Sequence, residues 1–343
     1  MITQHSDPAF SGWSVVRQRR HLSDLATAAL AHHAIDVTSM RLVHDGFNAT
    51  FRVDGSSGGG RPARWALRLN TRGARAAAET AAELAWLDSL GHAGEVRVAR
   101  VVRDLDDRPM VVVPSEPLGR DVVAVVFEWL PGRLLPEDPR PVEIRRLGRL
   151  TALLHAHGER WRPPADTSLG RIDDARMGLD DHLADHPALD ATQRSVIREV
   201  SDRAAATFDA LRSRHQGHVI HGDLHPGNLM TAAGTLSVLD FDDCGISHPL
   251  HDLAITAYHL RPNAADHELV RGYESVGPLP DHSTAELESL IAARNVALLN
   301  ETITIDAAWV ADLLPTYIPN TITKLRGYLD TGVYRHDVDG LVH

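Results

Sequence analysis

The sequence predicts an α+β fold in which a mainly β-stranded first part is followed by a mainly helical second part. Short runs of strand-forming residues bounded by turn residues dominate the chain before residue 129, and apolar residues at helical spacing dominate it afterwards. The segment Trp129-Leu130-Pro131-Gly132 interrupts both patterns. We therefore expect an N-terminal lobe over residues 1–126, a hinge over 127–133 and a helical C-terminal lobe over 134–343.

An antiparallel sheet with one packed helix is expected in the N-terminal lobe. Ser23 is the predicted N-cap of a short first helix at 24–30. Strands are predicted at 40–44, 49–53 and 64–69 as a meander, and again at 97–102 and 122–128. An alanine-rich helix is predicted over 74–90. The glycine run at 58–60 separates two strands and is better explained as a flexible hairpin than as a phosphate-binding loop, so the phosphate turn is expected at 44–50.

The C-terminal lobe is expected to be helical apart from one hairpin and one short strand. Apolar residues recur at helical spacing over 142–157, 190–215 and 284–303. The hairpin is predicted around 229–239, and a strand at Val219–Ile220 precedes it.

Composition restricts the class of protein. The chain has 343 residues, of which 43% are apolar and 24% charged, and its single cysteine, Cys244, excludes an internal disulfide framework. A net charge of −11 argues against a nucleic-acid partner and mildly favours a cationic or neutral substrate. No membrane-spanning segment is predicted, so we expect a cytoplasmic protein without a membrane partner. The oligomeric state does not follow from the sequence.

The densest functional signal lies in a predicted catalytic loop at 219–230 and a predicted metal-binding segment at 238–243. The loop reads His221-Gly222-Asp223-Leu224-His225-Pro226-Gly227-Asn228, and Asp240 follows in an Asp-Phe-Asp sequence after the hairpin. Kinase-like enzymes use this spacing to position a hydroxyl group and to hold magnesium on ATP. A polar turn alone would also favour Asp, Pro, Gly and Asn, but it would not account for the second aspartate segment. The sequence therefore indicates a phosphotransferase with Asp223 as the catalytic residue.

Two further residues are expected to support this loop. His221 is expected to brace it by hydrogen bonds to the backbone or to the Asp240 region rather than to act as a base. Asp252 lies at a predicted helix start, where it can cap the helix, tie to the catalytic loop, or do both.

These motifs resemble the aminoglycoside phosphotransferase and choline kinase superfamily, whose catalytic loop carries the same Brenner-type His-Gly-Asp signature. The resemblance is strongest over 219–254 and extends over most of the chain, because further segments match in the order of the family. These segments are 46–53, 66–69, 83–87, 127–132 and 150–157. The resemblance implies a bilobal protein-kinase-like fold with ATP between the lobes.

The resemblance also implies roles for individual residues. Asp223 matches the catalytic aspartate, and Asn228 and Asp240 match the two magnesium ligands. Carboxylate and amide oxygens are the ligands that magnesium prefers. The predicted nucleotide-binding residues are Asn48 in the turn over the phosphates, Ala66 and Arg68 on one strand face, Glu83 as the ion-pair partner of Arg68, and Phe127, Glu128 and Leu130 in the hinge that contacts adenine.

One of these positions departs from the family. Most members have lysine where this chain has Arg68. A planar guanidinium group and an ammonium group are not interchangeable. Glu79, one helical turn before Glu83, is the rival candidate for the ion pair.

Several alternatives stay open at this stage. A metallohydrolase would use His221, Asp223 and His225 as ligands, with His248 and His251 nearby. A nucleotide-binding relative without catalysis would explain the departure at Arg68. A bacterial Ser/Thr protein kinase would share the fold, but the short segment between Asp240 and Asp252 favours a small-molecule hydroxyl acceptor, such as an antibiotic, an amino alcohol, a homoserine-like compound or a sugar. Four acidic residues are candidates to contact an amine on the acceptor: Asp180, Asp181, Asp185 and Glu301. Most such residues are ordinary surface acids.

Overall fold

The chain divides into two compact units. The structure is a computed structural model, and it describes residue 10 and residues 12–58, 60–71, 76–261, 266–305 and 308–342. The first unit comprises the described residues up to Pro131 together with Pro163–Ser168, and the second comprises Gly132–Arg162 and the residues from Leu169 onwards. Gly59 of the predicted hairpin and residues 74–75 of the predicted second helix lie outside the described residues.

The first unit is built on a six-stranded antiparallel sheet. Strands β1 to β7 span Ile35–Asp45, Asn48–Ser57, Arg61–Asn70, Arg97–Val98, Val101–Val102, Val111–Ser115 and Arg120–Glu128, and helices α1 and α2 span Val15–Leu30 and Ala77–Ala93. The sheet has the order β1-β2-β3-β7-β5, and β6 also pairs with β7. Its core contains the alternate residues of β2 and β3, such as Phe51, Leu67 and Leu69, together with one face of α1. This is the predicted α+β arrangement for this part of the chain.

One local prediction for the first unit was wrong, and one strand was not predicted. The N-cap of α1 is Ser14, whose Oγ accepts a hydrogen bond from the N–H of Arg17. Ser23 lies inside this helix, where its hydroxyl donates to the carbonyl of Arg19 at 2.9 Å. Strand β6, which contains Pro114, was not predicted.

Helices dominate the second unit. Helices α3 to α8 span Pro141–Arg160, Ala191–Arg214, Pro249–Leu260, Asp266–Glu274, Thr284–Thr302 and Ala308–Thr331. Strands β8 to β12 span Arg133–Leu134, His218–Ile220, Leu229–Ala232, Thr235–Val238 and Gly245–Ser247. Strand β10 pairs with β11 and β8, and β9 pairs with β12, in each case antiparallel. The hydrophobic core lies mainly among α4, α5, α7 and α8, and no described helix is long and apolar enough to cross a membrane.

The pairing of β9 with β12 holds the predicted catalytic loop at a tight turn. Gly222 follows β9 with a φ of 83°, and a Cβ atom there would lie 2.3 Å from the carbonyl oxygen of Asp243. Only glycine fits this left-handed, crowded position. The glycine of the His-Gly-Asp signature is therefore required by the turn that presents Asp223.

Candidate active site

Asp252 anchors the start of the predicted catalytic loop. Its carboxylate, fully buried on α5, accepts the N–H of His221 at 3.0 Å and the N–H of Gly222 at 2.8 Å. His155 on α3 bridges Asp252 Oδ2, at 3.1 Å from Nε2, and the hydroxyl of Tyr273, at 2.9 Å from Nδ1. Burial opposes ionisation of Asp252, but the hydrogen bond from His155 and the backbone donors hold its pKa below the usual range. The cap of α5 is His248, so Asp252 acts as a loop tether and does not cap the helix.

His221 braces the loop, as the sequence predicts. Its Nε2 lies 2.9 Å from the carbonyl oxygen of Leu239, and its Nδ1 accepts the N–H of Asp223 at 3.2 Å. The ring also packs against Phe241, with centroids 4.6 Å apart. Because both ring nitrogens are engaged by the backbone, His221 does not serve as a metal ligand of the proposed metallohydrolase set.

Asp223 is held through both of its carboxylate oxygens. Oδ1 forms an ion pair with Arg294 of α7, a guanidinium group that is only 4% exposed. Oδ2 accepts the amide Nδ2 of Asn228 at 2.7 Å and lies 3.3 Å from Nε2 of His225. Burial opposes ionisation of Asp223, but the charge of Arg294 and the hydrogen bond from His225 hold its pKa below the usual range. The group is therefore a positioned, ionised carboxylate and a weak base.

The geometry of Asn228 suits a magnesium ligand. Its Nδ2 donates to both the carbonyl and the carboxylate of Asp223, so the amide oxygen Oδ1 points away from these contacts. The N–H of Leu239 donates to the carbonyl of Asn228 at 2.9 Å, which places the following residue, Asp240, beside it. Asp240 is exposed and has a φ of 57°, a conformation that aspartate tolerates better than most residues. An amide oxygen and a carboxylate on adjacent segments match the oxygen ligands that magnesium prefers.

A second cluster, formed by Asp223, His225 and His259, is compact enough to hold a metal ion. The hydrogen bonds argue against this use. The N–H of Gly227 donates to Nδ1 of His225 at 3.1 Å, so the proton of a neutral His225 is on Nε2, which faces Asp223. Arg294 already neutralises the same carboxylate. His225 therefore acts as a hydrogen-bond donor to Asp223, and its ring stacks on His259 with centroids 4.4 Å apart.

The first unit contains the predicted ion pair between Arg68 and Glu83. The distance from Arg68 Nη2 to Glu83 Oε2 is 2.8 Å, and the side chains are 11% and 1% exposed. Glu79, the rival candidate, instead accepts the N–H of Ala76 at 3.1 Å and caps the start of α2. Ala66 shares the partly exposed face of β3 with Arg68, as the alternation of the strand predicts.

The remaining predicted nucleotide-binding residues lie on the same sheet. Phe127 is opposite Ala66 in the register of β3 and β7, and its ring centroid is 5.4 Å from Cζ of Arg68. Glu128 ends β7, and its N–H donates to the carbonyl of Arg100 at 2.8 Å. Leu130 follows two residues later, and Asn48 begins β2 at the turn where its carbonyl accepts the N–H of Gly46. Their contacts with a nucleotide remain predictions.

Arg294 was missed in the sequence, although a signal for it exists. It lies in the helical segment 289–297, in which every residue is buried. Apart from Arg294, Ser289 and Asn295, the residues of this segment are apolar. A fully buried cation requires a carboxylate partner. The sequence does not say which of the many acidic residues that partner is.

These features, an Arg–Glu pair on a sheet and helix and a separate Asp–Asn–Asp loop, are typical of kinase-like phosphotransferases. The sequence matches the phosphotransferase enzyme family over residues 39–286, and the chain belongs to that family. Among solved structures, it resembles a microcompartment-associated aminopropanol kinase with a TM-score of 0.74 and 25% identity, over 92% of this chain and 100% of the other.

Three further kinases are similar over shorter regions or at lower identity. Homoserine kinase of Gluconobacter oxydans (strain 621H) is 31% identical over 59% of this chain and 61% of its own length. Amicoumacin kinase of Bacillus subtilis (strain 168) is 24% identical over 52% of each protein. The solved amicoumacin kinase hAmiN, in complex with AMP-PNP, Ca2+ and Ami, has a TM-score of 0.68 and 17% identity, over 90% of this chain and 95% of the other. The matched part thus spans only about half to three fifths of the two curated relatives.

Proposed function

We propose that this protein is an ATP-dependent phosphotransferase that moves the γ-phosphate directly onto a hydroxyl group of a small molecule. The arrangement around Asp223 carries this proposal. Its carboxylate is fixed by Arg294, His225 and Asn228, and the backbone carbonyl of Asn228 is hydrogen-bonded to Leu239, the residue before Asp240. Membership of the phosphotransferase enzyme family supports the same reaction.

In this reaction Asp223 orients the acceptor hydroxyl and takes its proton late. Phosphoryl transfer has a loose transition state, so positioning contributes more than proton abstraction by a strong base. The lowered pKa of Asp223 fits this role, because a weakly basic carboxylate still accepts a hydrogen bond from the hydroxyl group. No phosphoenzyme is proposed, and transfer is in line from ATP to the acceptor.

Asn228 and Asp240 are the proposed ligands of Mg2+, which offsets phosphate charge when it is bound. In the first unit, Arg68 is proposed to contact the phosphates while Glu83 fixes its direction. Asn48 is proposed to cover the phosphates, and Ala66, Phe127, Glu128 and Leu130 are proposed to surround adenine. The names of the similar proteins, which include a kinase in complex with AMP-PNP, support ATP as the donor.

The proposed acceptor is a small molecule. Only eleven residues separate Asp240 from Asp252, which leaves no room for a long activation segment of the kind that protein kinases use. The similar proteins carry the names of kinases for aminopropanol, homoserine and amicoumacin. A cytoplasmic location is part of the same proposal.

Acceptor-stimulated ADP release with Mg-ATP tests the reaction. The panel should contain amino alcohols, homoserine, sugars, hydroxylated antibiotics and a generic protein substrate. We expect one class of small molecules to stimulate release, and Asp223→Asn to lower kcat by at least about 100-fold, the lower end of what positioned acid–base groups contribute. ATP binding should be retained, because Asp223 is not a proposed metal ligand.

Asp281→Asn, which changes an exposed acid outside the proposed site, is the matched control and should leave turnover unchanged. Equal ADP release by the wild-type protein and Asp223→Asn with every acceptor would contradict the proposed function. So would a phosphorylated protein that forms from ATP without acceptor and then transfers its phosphate.

A further inference from the structure

The guanidinium group of Arg294 is buried, but most of its N–H donors lack a strong acceptor. Its Nη2 donates to Oδ1 of Asp223. Its Nη1 lies 3.2 Å from Sδ of Met177, and a thioether sulfur accepts hydrogen bonds only weakly. Its Nε is buried and has no hydrogen-bond partner among the described residues. The group is therefore anchored at one corner and incompletely paired at the others.

A second arginine of the same unit shows how such a group is paired when the protein supplies the acceptors. Arg261 donates to the two oxygens of Glu288 at 2.7 and 2.6 Å, and Nη1 also donates to the carbonyl of Tyr334 at 2.7 Å. Arg294 is more deeply buried, at 4% exposure against 14%, yet it has fewer oxygen acceptors. Buried polar groups are normally hydrogen-bonded. The difference indicates that a ligand supplies a further oxygen to Arg294.

A second unpaired polar atom lies on the other side of Asp223. Nε2 of His259 is buried and has no hydrogen-bond partner in the described part of the chain. Its ring stacks on His225, with centroids 4.4 Å apart, and Nε2 of His225 lies 3.3 Å from Oδ2 of Asp223. Burial lowers the pKa of His259 to about 3, so this ring is neutral near pH 7 and supplies no charge. Unpaired polar atoms beside both oxygens of Asp223 indicate that a polar ligand completes the site.

The proposed reaction brings a strong acceptor to this position. When the acceptor hydroxyl donates to Asp223, its oxygen lies about 2.7 Å from the carboxylate, and the phosphorus that it attacks lies about 3 to 3.5 Å further on. The new bond forms from this oxygen to the γ-phosphorus, and the bond from the γ-phosphorus to the bridging oxygen breaks. The electron pair of the broken bond leaves with ADP, and the hydroxyl proton goes to Asp223. A cation that contacts Asp223 is therefore next to the charged oxygens of the phosphoryl group in transit.

We propose that Arg294 is a catalytic residue that contacts the phosphoryl group during transfer. Nη2 stays on Asp223, and Nη1 exchanges the sulfur of Met177 for a phosphoryl oxygen. Methionine is unbranched and flexible, so its thioether can move aside, and guanidinium groups bind phosphate oxygens through charge-assisted hydrogen bonds. Because Arg294 is already fixed on α7, this contact costs little reorganisation during the reaction. The inference rests on the proposed function and adds a residue to its chemistry.

Binding of a transition-state analogue tests the contact. Mg-ADP with aluminium fluoride imitates the phosphoryl group in transit, so aluminium fluoride should tighten the binding of ADP to the wild-type protein in calorimetry. An arginine on a transferring phosphoryl group is worth about 10³- to 10⁵-fold in kcat, so Arg294→Met should lose at least about 100-fold of this tightening. The Kd for ADP alone should stay near the wild-type value. Arg294→Lys, which keeps the charge without the planar fork, should lie between the two. Arg261→Met is the matched control and should keep the full tightening.

The same variant in an Asp223→Asn background separates this contact from the hold of Arg294 on Asp223. The double variant lacks both charges, so neither partner of the buried pair is left alone. We expect it to bind the analogue at least about tenfold more weakly than Asp223→Asn does. Equal affinities in these two proteins would overturn the inference, because Arg294 would then act only through Asp223.

Two other outcomes would also overturn it. One is a loss of affinity in Arg294→Met that is confined to acceptors with a carboxylate group, while analogue binding is unchanged, because the unpaired donors would then bind the acceptor. The other is that aluminium fluoride does not tighten ADP binding to the wild-type protein. The proposed function fails as well only if ADP release is also independent of Asp223.

Discussion

Both units contain buried ion pairs, but among the described residues the first unit buries one histidine and the second buries six. The first unit uses the direct ion pair of Arg68 and Glu83, which is buried between strand and helix. The second unit surrounds the buried Asp252 with backbone N–H groups and His155, and it packs His218, His248 and His251 in its interior. Arginine and glutamate do not ordinarily titrate between about pH 5 and 8, whereas histidine does. The comparison therefore indicates that the second unit, which contains the predicted catalytic loop, is the more sensitive to acid.

Acid unfolding is the largest expected effect. Burial is the first cause of the lowered pKa of His218, His248 and His251, each of which falls from 6.5 to about 4. The folded state thus keeps these rings neutral while the unfolded state binds protons. Their contribution to stability is fully present above pH 6.5 and is lost as the pH falls from 6.5 towards 4. We expect each ring to lower the free energy of unfolding by up to about 1.4 kcal/mol per pH unit in this window.

Denaturant unfolding between pH 7.5 and 4.5 measures this loss, and hydrogen exchange resolved by segment assigns it to a unit. His248→Asn is the informative variant. His248 accepts the N–H of Leu250 at 3.2 Å as the N-cap. Asparagine can accept the same hydrogen bond, but it does not titrate. It should lower the slope with pH by about one proton. A free energy of unfolding that is constant down to pH 4.5 would contradict the prediction.

Local patterns predicted much of this fold. The alternation in β2 and β3, the helical spacing over 142–157 and 284–303, and the hairpin after the catalytic loop each correspond to elements in the structure. The errors have local causes too. Ser23 looks like an N-cap because it precedes an aspartate and an apolar run, but the helix already begins at Val15 with Ser14 as its cap.

The candidate site was predictable where its residues are close in sequence. Asp223, Asn228 and Asp240 follow one another within a loop and a hairpin, so their spacing alone indicates their chemistry. Arg294 comes 71 residues after Asp223, and the contact depends on how α7 packs against the loop. Sequence periodicity shows that Arg294 is buried, but a contact over this separation follows only from the tertiary fold.

Removal of Arg294 is the next test, because it breaks the ion pair between Arg294 and Asp223 in the second unit. Arg294→Met leaves Asp223 with Asn228 and His225 but without a cation, and loss of one partner of a buried pair costs about 3 to 5 kcal/mol. We also expect a lower kcat, because Oδ1 of Asp223 is no longer held. Chemical denaturation and ADP release, both at a temperature where the variant is folded, measure the two effects.

Arg261→Met is the matched control, since Arg261 forms a mostly buried pair with Glu288 outside the proposed active site. It should lower stability by a similar amount while turnover stays near the wild-type value. Equal losses of turnover in the two variants would mean that the effect of Arg294 reports only stability.

The smallest expected effect is at Arg68, where a lysine tests whether the charge pair of the first unit needs a guanidinium group. Arg68→Lys keeps the charge but loses the planar fork that contacts Glu83 at 2.8 Å, so we expect KM for Mg-ATP to change by less than about tenfold. Arg68→Met removes the charge and should raise this KM further, with little change in the acceptor KM. A gain in kcat/KM for Arg68→Lys would show instead that the arginine limits turnover.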